Sequence, residues 1–106
     1  MKFEIGDVRG LKVVCTEDCW DNHILDEHPI MNNSDAIDHV IDAIQNPLLC
    51  IFQDRDFPER HIYYRRNQSG LRYTKAVVDF SNPQLGEVIT AFYTDSMKTG
   101  EKIIWP

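Results

Sequence analysis

No stretch of this 106-residue chain approaches the roughly 20 consecutive apolar residues of a membrane-spanning helix. The opening residues, Met1-Lys2-Phe3-Glu4-Ile5-Gly6-Asp7, carry neither the apolar core of a signal peptide nor the Arg- and Ser-rich bias of a transit peptide. Cysteine is scarce and odd in number, at three, which argues against a disulfide scaffold and for reduced thiols in a cytoplasmic setting. Basic residues are few as well. Seventeen acids against eleven bases give a net charge of −6, which disfavours a protein that coats nucleic acid non-specifically. There is no repeat, low-complexity tract or linker, so residues 1–106 read as a single domain.

What is present is an ordinary globular composition, 42% hydrophobic and 26% charged, with an uneven distribution of charge. Residues 1–54 hold eleven acids and three bases, whereas residues 55–106 hold six acids and eight bases. Six of the bases, Arg55, Arg60, Arg65, Arg66, Arg72 and Lys75, fall within 21 residues, opposed there by Asp56 and Glu59 alone. A basic patch therefore sits on an acidic protein.

The residue pattern places helices before strands. Leu11–Cys15 is β-branched and apolar and reads as a short strand or extended lead-in. Thr16 or Asp18 then caps a helix that Pro29 stops near His28, because proline disfavours helical geometry in the residue before it. Asn32-Asn33-Ser34 caps a second helix, whose Ile37, Val40, Ile41 and Ile44 form one apolar stripe and which ends at Asn46-Pro47. Leu48–Phe52 reads as a buried strand. Residues 62–66 and 71–80 flank the turn formers Asn67-Gln68-Ser69-Gly70 as a hairpin. Gly86 opens a further strand over residues 87–94, and residues 102–106 add an edge segment. The expected architecture is α+β, with N-terminal helices packed on one face of a four-stranded antiparallel β-sheet in meander order.

Several of these residues have chemistry to offer. His23 and His28 lie five apart, and imidazole moves protons in either direction near neutrality. On an ideal helix they are about 140° apart, so they share a face only if the helix ends between them. Alternation in the hairpin puts Ile62, Tyr64 and Arg66 beside Leu71, Tyr73 and Lys75 on one face, with Tyr63, Arg65, Arg72 and Thr74 on the other. Interleaved arginine and tyrosine on a sheet suits contact with RNA phosphates and bases. Thr90, between Val88 and Phe92 on one strand face, adds a hydroxyl that needs a partner. Cys15-x3-Cys19-x3-His23, with Cys50 or His28, supplies ligand types that zinc accepts, but the spacing matches no common zinc motif.

Taken in order, Trp20-x2-His23-Ile24-x3-His28-Pro29, the helix ending in Asn46-Pro47, the Tyr63-Tyr64-Arg65 strand, Lys75-x-Val77-Val78, Ile89-Thr90-Ala91-Phe92 and Trp105 resemble the barnase–EndoU–colicin–RelE-like ribonuclease superfamily of small phage and bacterial domains. The resemblance implies an endoribonuclease that needs no metal or cofactor and cleaves RNA by 2′-hydroxyl attack, leaving a 2′,3′-cyclic phosphate. The setting it implies is a toxin or phage-linked system with an immunity or antitoxin partner, and with neither DNA nor membrane among its partners. Carried onto this chain, the catalytic residues are His23 as base, His28 as acid, Arg65 as phosphorane-stabilising cation and Thr90 as hydrogen-bond donor. Tyr64, Arg66 and Lys75 bind substrate, and Lys75 also serves as the alternative strand-borne cation. The competing expectation is a non-catalytic binding or regulatory module on the same fold.

Overall fold

A computed structural model describes residues 1–67, 72–98 and 101–106. Residues 68–70 of the expected turn, and the face assignment of Leu71, lie outside the described residues.

The chain opens with β1 (Phe3–Gly6) and β2 (Lys12–Cys15), antiparallel with Phe3 opposite Cys15 and Gly6 opposite Lys12. Gly10, at φ 86°, occupies the left-handed region in the connection between them. A helical stretch follows: α1 (Glu17–Cys19), a π-helical turn (Trp20–Ile24) and α2 (Leu25–Glu27), then a 3₁₀ turn (Pro29–Met31). Thr16 is its cap, accepting the Cys19 N–H on its hydroxyl at 3.0 Å. His28, just before Pro29, leaves helical geometry at φ −132° and ψ 74°.

α3 (Ala36–Gln45) buries Ala36, Val40, Ala43 and Ile44 and packs Ile37 and Ile41 against the core, which is the expected stripe. Its N-cap is Asp35, and Asn33 contributes by accepting the Asp35 N–H on its side-chain oxygen at 2.9 Å. The remaining strands are β3 (Ile51–Gln53), β4 (Arg60–Arg66), β5 (Tyr73–Asn82), β6 (Leu85–Thr94) and β7 (Lys102–Trp105).

The α+β class holds, but the sheet is not a four-stranded antiparallel meander. Among the described residues seven strands pair in the order β1-β2-β6-β5-β4-β3-β7. One pair is parallel: β2 runs beside the start of β6, with Lys12, Val13 and Val14 opposite Leu85, Gly86 and Glu87. The difference has a local cause. β1, β3 and β7 have four, three and four residues, too few to display a period of two. The expected buried strand over 48–52 shrinks to β3, because Leu49 is exposed at φ 69° and Leu48 instead donates its N–H to the Tyr64 carbonyl.

One face of the sheet carries the main core, where α3 and the Trp20–Met31 stretch meet Val13, Ile51, Tyr63, Ala76, Val78 and Ala91. The other face carries a smaller cluster of Ile62, Tyr64 and Val77 with Phe52, Tyr73, Ile89 and Met97. Gly86 is required where β6 meets the main core, since a Cβ there would lie 2.6 Å from both Phe80 and Val78. Among the described residues no helix is long and apolar enough to cross a membrane.

Candidate functional site

Because β2 pairs with β6 only as far as Glu87, the later half of β6 has no strand on that side. The helical stretch fills the gap, and the Cys19 thiol donates to the Val88 carbonyl at 3.0 Å. A bulge falls at this point. Thr90 lies opposite Val77 and Val88 opposite Val78, so Ile89 has no partner across the strand. The extra residue turns both Ile89 and Thr90 toward the minor face, while Val88 joins the main core. Thr90 and Val88 therefore lie on opposite faces, contrary to the simple alternation expected from the sequence.

Above the bulge is a cleft of about 380 Å³ lined by His23, Glu27 and His28 from the helical side and by Arg60, Ile89, Thr90 and Phe92 from the sheet. The two histidines and Thr90, five and 62 residues apart along the chain, thus share one cavity. His28 reaches it because it has left the helix, and its ring stacks on Phe92 with centroids 4.7 Å apart and planes 24° apart. His23 points its Nε2 at the Glu27 carboxylate, 2.9 Å away, which leaves Nδ1 for a proton in transit. The π-turn that contains His23 is a distortion found frequently at functional sites in helices. Among the described residues the Thr90 hydroxyl has no hydrogen-bond partner.

The cation in the cleft is Arg60. Its guanidinium lies 4.2 Å over the Phe57 ring, and its Nε is buried with no hydrogen-bond partner. A buried unpaired donor on a charged group costs on the order of 1–3 kcal/mol. Arg60 is opposite Asp79 in the sheet, and hydrogen bonds from Ser81, with the Arg60 charge as a smaller cause, hold the Asp79 carboxyl below its usual range.

Arg65 does not join them. Its Nε is 3.2 Å from Asp42 and it donates to the Asn46 carbonyl, both on the α3 side of the sheet. There Arg65 and Arg66 line a second cleft of about 400 Å³ with Asp35, Asp38, His39, Asp42 and Asn67. Three carboxylates make that cleft a poor host for phosphate. Lys75 is on the same sheet face as the first cleft, with its Nζ 5.4 Å from the Phe92 ring and 5.6 Å from that of Tyr64. Tyr64 itself is fully buried, and its hydroxyl accepts the Lys98 N–H at 3.1 Å, so it forms floor and not contact surface. Among the described residues no group of three or more histidine, cysteine or acidic side chains is gathered as a metal site would require. Cys15 and Cys50 are buried, and burial raises both thiols; for Cys15 the neighbouring Cys19 thiol is the larger cause.

Glu27 and Arg60 are the residues that sequence reasoning missed. Glu27 is signalled by its i, i+4 spacing from His23. Arg60 carried no signal beyond membership of the basic patch. Compared with known proteins, the chain matches no family model, no curated protein and no solved structure.

Proposed function

We propose that the cleft is the active site of an endoribonuclease that needs no metal. The observation that carries this reading is the meeting of two imidazoles, a hydroxyl without a partner and a guanidinium with a buried unpaired donor in one cavity. RNA brings its own nucleophile, so the protein has only to move two protons and stabilise charge. His23, oriented by Glu27, takes the proton of the ribose 2′-hydroxyl as its oxygen attacks phosphorus. The P–O5′ bond breaks, His28 gives its proton to the leaving 5′-oxygen, and a 2′,3′-cyclic phosphate remains. Arg60 and the Thr90 hydroxyl donate to the non-bridging oxygens, whose charge grows in the transition state. Each acid–base group of this kind is worth about 10²–10⁴-fold, and each donor to the developing charge on the order of 10²–10³-fold.

In this proposal Arg60 has the role first assigned to Arg65. The seven-stranded sheet departs from the four strands that a barnase–EndoU–colicin–RelE-like relationship implies. The reading therefore rests on the cleft and not on descent. An immunity or antitoxin partner would act by covering the same cleft.

A second reading, RNA binding without cleavage, is favoured by the acid beside the cation: Arg60 lies in register with Asp79, and Asp79 with Glu87. Incubating purified protein with single-stranded RNA in EDTA, at low and moderate salt, separates the two. Fragmentation supports the enzyme, and a mobility shift with intact RNA supports the binding module.

A further inference from the structure

The minor face of the sheet holds a second cation, Lys75, whose nearest neighbours across the strands are aromatic rings. Tyr64, Lys75 and Phe92 are directly opposite one another on β4, β5 and β6, and the Lys75 ammonium lies near both rings. Among the described residues no carboxylate lies within ion-pair distance of Lys75 or of Arg60. By contrast Lys2, Arg9, Lys12, Arg65, Arg72 and Lys98 each have one. Arg60 nonetheless has Asp79 directly opposite it, whereas the cross-strand neighbours of Lys75 are Tyr64 and Phe92, neither of them acidic. The two cations are not neighbours. Thr90 and Phe92 are two residues apart on β6, roughly 7 Å, and Phe92 stands between the Arg60 cleft and Lys75. Laid end to end, the Phe92 contacts of 4.7 and 5.4 Å place the Lys75 ammonium within about 10 Å of the His28 ring.

We infer that Lys75 is a separate subsite for the phosphate adjoining the scissile one, with Phe92 as the spacer between the two phosphates. The inference rests on the cleft being the RNA site, and it specifies the substrate: a single strand with at least two phosphates. The Phe92 ring is already stacked by His28 and faced by Lys75, so a base passing between the two phosphates meets only its edge, which it reaches only if it is unstacked and unpaired. Lys75 then sets substrate length and leaves the chemical step to the cleft.

The test measures binding of 2′-O-methyl oligouridylates, which cannot be cleaved because the nucleophile is blocked. A dinucleotide carries one phosphate and a tetranucleotide three. Wild type is expected to bind the tetranucleotide at least tenfold more tightly than the dinucleotide, and to bind a duplex of equal length no better than the dinucleotide. Lys75→Gln should weaken the tetranucleotide three- to tenfold, leave the dinucleotide unchanged, and lower the slope of log affinity against log salt by about 0.7, the value of one single-strand phosphate contact. Equal weakening of both ligands, an unchanged salt slope, duplex binding as tight as single-strand binding, or no binding at all overturns the inference. The two readings fail separately. Length-dependent binding through Lys75 with no cleavage of natural RNA removes the nuclease and keeps the subsite, whereas cleavage with a length-independent Lys75→Gln effect does the reverse.

Discussion

The Nε2 of His23 lies 2.9 Å from Oε1 of Glu27, one turn further along the same helical stretch. Both side chains are about half exposed, so the pair adds little to stability. In the proposed reaction its value is orientation: the carboxylate would fix one ring nitrogen, leave the other to accept a proton, and stabilise the imidazolium that results. Glu27→Gln is expected to slow RNA cleavage by about tenfold, less than the 10²–10⁴-fold of His23→Ala, with Glu27→Asp restoring part of the rate. Thermal midpoints should stay within a degree or two of wild type. Equal rates for Glu27→Gln and wild type would remove Glu27 from the site.

Arg60 and Arg65 separate the two faces of the sheet. Arg60→Ala is expected to lower kcat/KM for RNA by about 10²–10³-fold. It should leave stability nearly unchanged, because the buried Nε it removes had no partner. Arg65→Ala loses the Asp42 ion pair and the Asn46 carbonyl, at a cost of about 0–1 kcal/mol for a half-exposed pair, and keeps full activity. Parallel kinetics and urea melts of the two variants check this, and the opposite ranking of activities contradicts it.

Acid should loosen the fold through His61. Arg9 donates to both Asp7 and His61 Nδ1, and Tyr63 donates to Asp7, whose side chain is fully buried. Because a guanidinium only donates, Nδ1 must accept and His61 must be neutral. Burial, and then the Arg9 charge, lower its pKa to about 4. Between the ordinary value near 6.5 and about 4, the unfolded chain binds a proton that the folded chain refuses. Stability from this group is therefore complete above pH 6.5 and is lost as pH falls toward 4. Urea midpoints should drop between pH 7 and pH 4.5 in wild type, and drop less in His61→Gln. A midpoint that does not move over this range, or moves equally in the variant, contradicts the assignment. Asp7→Asn, which leaves Arg9 without its buried counter-charge, should cost about 3–5 kcal/mol at pH 7.

Gly86→Ala probes the point where β6 passes under Phe80. The new methyl would lie 2.6 Å from the Phe80 ring and from a Val78 methyl, with a second Phe80 atom at 2.8 Å. Both neighbours are core side chains with little room to retreat, so overpacking should cost about 1–3 kcal/mol in chemical denaturation. A variant as stable as wild type would show that the Phe80 ring can turn aside.

The residues that were legible in the sequence are those whose local pattern is long enough to repeat. The stripe Ile37, Val40, Ile41 and Ile44 specifies α3, and the β4–β5 pairing keeps Tyr64 and Arg66 on the face of Tyr73 and Lys75, as alternation required, although in a register two residues from the one a turn over 67–70 implies. Pro29 releases His28 from the helix, which is the condition on which the two histidines could share a face. That same register already separated Arg65 from Lys75, since Arg65 pairs with Thr74 on the other face. Not legible were the pairings that depend on distant segments: β3 between β4 and β7, and β2 parallel to β6. The bulge at Ile89 was hidden too, because one extra residue leaves no mark on composition yet reverses the face of everything beyond it. Arg60 entered the cleft from two strands away, and only coordinates show that.

The account turns on the cleft at His23, His28, Arg60 and Thr90 cutting a phosphodiester, and the chemical identity of the new ends tests that most directly. Single-stranded RNA incubated with the protein in EDTA, followed by mass spectrometry of the fragments, should show 2′,3′-cyclic phosphates paired with 5′-hydroxyls, and His23→Ala should abolish them. RNA left intact, or fragments ending in 3′-hydroxyls and 5′-phosphates, would contradict the account.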